Sequence, residues 1–296
     1  MVAGSCGFTK KHYLRQRELS SLGSATSLTG ETLGAIPMDD IVKQIILEKI
    51  RVSLEDYKIH ADELLKIINI HFAKENDRLR NIAILNLQRY YSGLICVTTL
   101  IKEYKFYKPI EFNYILILRA LTLDFITLEY LKSQHDLGND KFNEASKKIN
   151  NISAIETYRY CDNIEDKYRE PFREFVAKNI FPENYSFDES RNKFILKNSN
   201  SISPWKMAEY FKDKKNTFAF DAYKLYANFS LVEHFNNLTF SAMKGETNTN
   251  LNNMLWAMYY IFHGHYTCFE ILDFFPKHTS EIVEKRNYFL SLLHEV

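Results

Sequence analysis

A chain that uses glycine nine times and proline six times in 296 residues has few places to turn tightly. β-Sandwiches and barrels need a turn every few residues, and those turns draw on glycine, proline and asparagine. Long regular elements with few breaks are the alternative, and they favour helices. With 46% hydrophobic residues and 15% aromatic ones, this length can bury a substantial core. The expected fold class is therefore all-α: an antiparallel helical bundle with a flexible N-terminal tail and an irregular insertion near residues 180–200.

Charge narrows the partners. Thirty-eight basic and 37 acidic residues leave a formal net charge of +1, too little for a broad field toward nucleic acid or an anionic membrane. A local basic groove remains compatible with that balance. The four cysteines, Cys6, Cys96, Cys161 and Cys268, are far apart and none forms a CxxC pair. That is neither a disulfide framework nor a zinc site, and it points to reduced thiols in a cytoplasm. The basic residues at Lys10, Lys11, Arg15 and Arg17 are followed by no apolar h-region, so no signal peptide is read. The run from Ile115 to Leu131 is interrupted by Arg119, Asp124 and Glu129 and reads as a buried helix rather than a membrane span.

The periodicity divides the chain at about residue 37. Residues 1–37 form a Ser/Thr/Gly-rich tail that cannot bury enough apolar surface to offset its ordering entropy. Residues 38–296 read as a single helical domain. Asp39 and Asp40 suit the N-cap of a helix carrying Ile41, Ile45, Ile46 and Ile50. Ser53 with Asp56 suggests a second start, leading through Ile59, Leu64 and Ile68. Further helices are expected over 77–104, 111–133, 217–238, 254–275 and 280–295. Gly138 is expected in the left-handed region at the end of a helix. Ser203 followed by Pro204 and Trp205 is an N-cap with proline at the first helical position. Residues 187–196 are read as a short hairpin or an irregular excursion, and 248–253 as a loop.

One polar pattern stands out against this apolar background. Tyr226, Ser230 and His234 recur at i, i+4 and i+8, which lines two hydroxyls and an imidazole along one helix face, with Tyr223 close to it. Arg119 lies inside the most apolar helix, where a guanidinium needs acceptors. Leu123 occupies its i+4 position, and Asp124 at i+5 is rotated by roughly 140° around the axis. Arg119 is therefore expected to reach another helix, the one carrying Tyr226 to His234 with Glu233. Two readings stand side by side: a core network that fixes helix register, or a pocket that binds or reacts.

The segment Trp205-Lys206-Met207-Ala208, then Tyr223, then Tyr226-x-x-Phe229-Ser230-x-x-Glu233-His234 resembles an uncharacterised family of bacterial helical proteins. That family carries a Trp, then a Tyr-x-x-Leu-Ser-x-x-Val-His helix, preceded by an apolar helix beginning Arg-x-x-Leu-Glu. Arg119-Ala120-Leu121 resembles the earlier element, and the likeness covers about residues 75–240. Phe229 replaces Leu, Glu233 replaces the apolar residue before His, and Thr122 and Leu123 stand where Leu and the acid would be. More distantly, the pattern resembles HEPN bundles, many of them ribonucleases of defence or toxin systems. Their signature is Arg, four to six intervening residues, then His on one helix. Here the nearest case, Arg286 and His294, has seven residues between. The resemblance implies His234 as acid/base, Arg119 as phosphate stabiliser, and Tyr226 and Ser230 as orienting groups. Tyr223, Asp124 and Trp205 join them as binding candidates.

Other features weigh less. His263-Gly264-His265 would chelate a metal only if Gly264 broke the helix, so no metal site is read, and stacking among Tyr259, Tyr260 and Tyr266 is expected instead. Trp256, Tyr259, Tyr260 and Phe262 could stack bases, but no Arg or Lys interleaves with them in sequence. Lys212, Lys214 and Lys215 mark a solvated helix end. There is no Gly-rich phosphate loop and no GxSxG, and no cofactor is implied. The expected partners are RNA or a nucleotide ligand, and a protein engaged by the tail. A membrane is not among them, and a homodimer is compatible with the sequence.

Overall fold

The computed structural model describes residues 40–72, 76–104, 111–197, 200–233, 249–274 and 279–295. They belong to one compact unit, Met38–Val296, and Met1–Pro37 lie outside the described residues. The tail expected at 1–37 is thus outside them too. Nine α-helices follow one another among the described residues: α1 Asp40–Phe72, α2 Arg78–Tyr104, α3 Glu111–Asp136, α4 Asn139–Asp162, α5 Asp166–Phe175, α6 Pro204–Glu209, α7 Phe218–Glu233, α8 Thr249–Leu272 and α9 Thr279–Leu292. The chain is an all-α antiparallel bundle, as the scarcity of turn residues requires. No helix among the described residues is long and apolar enough to cross a membrane.

Two helices form the centre. α3 packs against α2, α4, α6, α7 and α8, which explains why its apolar residues show no single face. α8 packs against α2, α3, α7 and α9, and buries Leu251, Met254, Leu255, Met258, Ile261, Phe262, Phe269 and Leu272. α1 is one continuous helix. The second start expected at Ser53 does not occur, because Ile50, Leu54, Tyr57, Ala61, Leu64 and Ile68 continue one buried stripe through it. Ser53 is itself buried, so its capping chemistry is never used. In the same way, of the loop expected at 248–253 the described residues 249–253 are the first turn and a half of α8. Leu251 begins the buried stripe there and outweighs the asparagines beside it.

Local signals act where packing does not oppose them. Asp77 Oδ1 accepts from the Arg80 amide at 2.8 Å and opens α2. Ser203 Oγ accepts from the Lys206 amide at 3.3 Å and opens α6, with Pro204 at its first position. Gly138 has φ 118° and ψ 158°, so it sits before α4 in a glycine-only extended conformation rather than the expected left-handed helical one.

The region 163–197 is a satellite. α5 continues into a π-helical turn, Val176–Ile180, and then an antiparallel hairpin of β1 (Tyr185–Asp188) and β2 (Lys193–Leu196). The hairpin is the regular form of the expected insertion. Its turn is held by Asp188 Oδ1, which accepts from Ser190 Oγ at 2.6 Å, and by Asn192 at φ 47°. Ala154, Val176, Ala177 and Tyr185 form a core cluster separate from the main one. α4 serves both: Phe142 and Ala145 pack into the main core and Ala154 into the satellite.

Candidate functional site

α7 buries Ala219, Ala222, Leu225 and Phe229 and turns Tyr223, Tyr226 and Ser230 toward α3 and α6 as a half-buried stripe. Arg119, also half-buried, meets that stripe. Its Nε donates to Ser230 Oγ at 2.9 Å and an Nη to the Tyr226 hydroxyl at 3.2 Å. The guanidinium lies 5.0 Å from the centre of the Tyr226 ring, so the same tyrosine offers both oxygen and π face. Ser230 Oγ donates in turn to the Tyr226 carbonyl at 2.9 Å, which leaves its lone pairs for the arginine. The i, i+4 spacing read from the sequence is what puts both oxygens within reach of one cation.

The stripe continues as an aromatic ladder. Tyr226 and Tyr223 rings lie 5.9 Å apart, Tyr223 and Trp205 5.2 Å, and Trp205 and Phe220 5.9 Å. Trp205 is delivered by the Ser203-Pro204 start of α6. The structure therefore brings together Arg119, Tyr226, Ser230, Tyr223 and Trp205. His234 lies outside the described residues, as does the side chain of Glu233.

Asp124 does not join them. The i+5 rotation carries it to the α2 side of α3, where Arg89 Nε donates to its Oδ2 at 2.7 Å. Burial pushes the Asp124 carboxyl above its usual range, against the pull of Arg89. It lines a small cleft of about 210 Å³ with Arg78, Asn86 and Thr127.

The histidine pair separates. α8 runs unbroken through Gly264, so residues two apart face different ways and cannot share an ion. His265 is fully buried. Its Nδ1 donates to the Ile261 carbonyl at 2.8 Å, so Nε2 accepts from the Tyr57 hydroxyl at 2.6 Å. Burial depresses its pKa to about 4. His263 faces Phe218, with ring centres 4.6 Å apart, and Phe125 at 5.8 Å. The expected stacking of both rings among Tyr259, Tyr260 and Tyr266 is thus replaced by packing against neighbouring helices, Tyr57 and Tyr90 for His265 among them. Among the described residues no group of three or more His, Cys, Asp or Glu is placed to hold a metal ion.

The partner of Glu129 and a groove at the other side of the bundle were not legible in the sequence. Glu129 on α3 is 5% exposed and accepts from Thr267 Oγ1 at 2.6 Å, with its carboxyl pushed up by burial. A groove of about 1030 Å³ runs between α1, the end of α2 and α9, lined among others by Ile45, Val52, Ile101, Tyr104 and Tyr288. It shares no residue with the Arg119 group. Lys214 stands over the Tyr210 ring at 3.4 Å, so part of the lysine run caps an aromatic.

Comparison of the chain with protein families, with curated proteins and with solved structures finds no match.

Proposed function

We propose that this helical protein acts through the Arg119–Tyr226–Ser230 group on a phosphate-bearing ligand, RNA or a nucleotide, in a bacterial or phage-borne defence or toxin setting. The observation that carries the reading is the pair of hydroxyl acceptors on Arg119. Two hydroxyls fix the orientation of the guanidinium in advance, which is the preparation a cation needs to meet a developing or standing negative charge. The aromatic ladder from Tyr226 to Trp205 adds ring faces beside it. In the catalytic form of this reading, a metal-independent ribonuclease, His234 takes and returns the proton of the attacking hydroxyl. Arg119 stabilises the phosphate, and Tyr226 and Ser230 hold Arg119.

A second reading is favoured by a different observation. The groove of about 1030 Å³ between α1 and α9 lies apart from the Arg119 group, and its apolar lining suits a binding or scaffold module without chemistry. Inducible expression of wild type, His234→Ala and Arg119→Ala, with growth and total RNA followed together, separates the two. Growth arrest with RNA cleavage in wild type alone, while both variants accumulate, supports the ribonuclease. Intact RNA and normal growth with wild type sink the catalytic form and favour the module.

A further inference from the structure

The cleft of about 210 Å³ beside Asp124 lies over α3, with α2 on one side and α4 on the other. The pairing of these helices sets its levels. The bond from Arg89 to Asp124 fixes α2 against α3, and the His135 and Phe142 rings, 5.6 Å apart, fix α4 against α3. Both pairs run antiparallel. Asn86, Thr127 and Asn150 therefore fall at one level, a single turn from Asp124, and each lines the cleft. Ile82 and Leu85 wall it on the α2 side, and Ile149 on the α4 side.

Packing leaves polar groups at this cleft without partners. Asn86 is 8% exposed, and its side-chain amide makes no hydrogen bond among the described residues. Ser146, 3% exposed, has an Oγ that is likewise unpartnered among them. Asp124 commits Oδ2 to Arg89, and its Oδ1 takes no bond among the described residues. Buried polar groups left in this way are costly unless something completes them. Arg78 lines the other end of the cleft. It is exposed, pairs with no carboxylate among the described residues, and opens α2, where the helix dipole disfavours a cation. Its neighbour Asp77 is turned to the Arg80 amide. An anion at Arg78 would meet the guanidinium and the positive end of the helix together.

We propose that this cleft binds a guanine nucleoside monophosphate, with the base edge on Asp124 and Asn86 and the phosphate on Arg78, separate from the Arg119 group. Aliphatic walls suit the faces of a flat ring, and the polar level suits its edge, the division by which an unstacked base is read. An ionised carboxylate accepts only, so its free oxygen needs a donor. Guanine carries two adjacent N–H groups and a carbonyl along one edge. The two donors serve Asp124 Oδ1 and an amide oxygen, and the carbonyl accepts from an amide or hydroxyl hydrogen. Adenine sets an acceptor beside its one amino group and cannot fill both places. The eight positions from Arg78 to Asn86 rise about 12 Å along α2. That span separates the base edge from the phosphate of a mononucleotide, and it is too long for the two ends of an α-amino acid.

The test uses the full chain at pH 7, with calorimetric titration and thermal unfolding against guanosine monophosphate (GMP), AMP, guanosine and ribose 5-phosphate. GMP binds at one site and raises Tm in a saturable way. AMP binds at least tenfold more weakly, and ribose 5-phosphate gives no saturable response. Arg78→Ala, at an exposed position, weakens GMP at least tenfold and leaves guanosine unchanged, a split that a merely structural role would not produce. Asp124→Asn weakens GMP and narrows its preference over AMP; Arg78→Ala decides alone if that variant does not accumulate. Arg119→Ala leaves the GMP response intact, so this site and the proposed activity fail separately. No saturable GMP response, an equal response to AMP or ribose 5-phosphate, or undiminished GMP binding in Arg78→Ala overturns the proposal. Loss of GMP binding in Arg119→Ala alone overturns it too, by placing the nucleotide on the Arg119 group.

Discussion

Gly264 gives the sharpest quantitative test of how the core is packed. A Cβ added there would lie 2.7 Å from the Tyr90 hydroxyl oxygen and 3.0 Å from both Cζ and Cε2 of the same ring. Ordinary carbon–oxygen contacts are longer by about half an ångström, so something must move. Tyr90 is fully buried and its ring lies 5.0 Å from that of His265, itself fixed by Tyr57, so there is little room to retreat. Overpacking of this kind costs about 1–3 kcal/mol. Against it, alanine is a better helix former than glycine by about 1 kcal/mol. Gly264→Ala should therefore destabilise by about 0–2 kcal/mol net. The Tyr90 hydroxyl is buried with no hydrogen-bond partner among the described residues, so Tyr90→Phe removes an unsatisfied group and should be close to neutral or stabilising. In the Tyr90→Phe background the closest contact is gone, and Gly264→Ala should become neutral or stabilise by up to about 1 kcal/mol. Urea unfolding of the four proteins yields the coupling energy, expected at about 1–2 kcal/mol. If glycine-to-alanine costs the same in both backgrounds, within about 0.5 kcal/mol, then the reasoning fails and Gly264 is present for some reason other than Tyr90.

Two further predictions concern buried charge. His263 and His265 both have pKa values depressed from the ordinary 6.5 to about 4, so the fold binds fewer protons than the unfolded chain. Their stabilising contribution is complete above pH 6.5 and is lost as pH falls toward 4, at up to about 1.4 kcal/mol per pH unit each. Asp124 and Glu129, raised by burial, act in the opposite sense as pH falls. The difference between wild type and His265→Gln isolates one histidine: the variant's urea midpoint should fall less steeply between pH 6.5 and 4.5, and parallel profiles would contradict the assignment. Arg173 is 2% exposed and bonded to Asp162 at 2.7 Å and to Glu170, whose side chains are 58% and 49% exposed. Removing the guanidinium as Arg173→Met returns two carboxylates to water and should cost little. The Asp162→Asn, Glu170→Gln pair strands a buried charge and should cost about 3–5 kcal/mol, read by hydrogen exchange across α5. Equal costs would argue against the asymmetry.

The comparison of sequence and fold turns on where the deciding information lies. Helix periodicity and the Ser203-Pro204 start are local, and both appear in the structure. The Arg119 contact was legible because two hydroxyls at i and i+4 name their own face, and a cation in an apolar helix must look elsewhere for acceptors. Ser53 and the asparagines before Met254 misled because a capping residue or a loop former yields when the buried stripe runs on past it. The hydrogen bond of 3.2 Å between Arg286 and His263 left no trace, since it depends on how α8 and α9 cross and on no spacing within either. The same holds for Tyr57 and His265, which are 208 positions apart.

The division of the core has a consequence for how this molecule opens. α4 is shared property: one half belongs to the bundle and the other to the hairpin module built on Ala154, Val176, Ala177 and Tyr185. A small cluster of that size holds its segment with far less free energy than the bundle holds α3 and α8, so it defines a unit that can melt and reform on its own. Its loss would unzip α4 from the C-terminal end and leave the Arg119 contact standing. The described residues 163–197 are thus an appendix to the bundle, where exchange, nicking or replacement is expected to leave the arrangement at its centre intact.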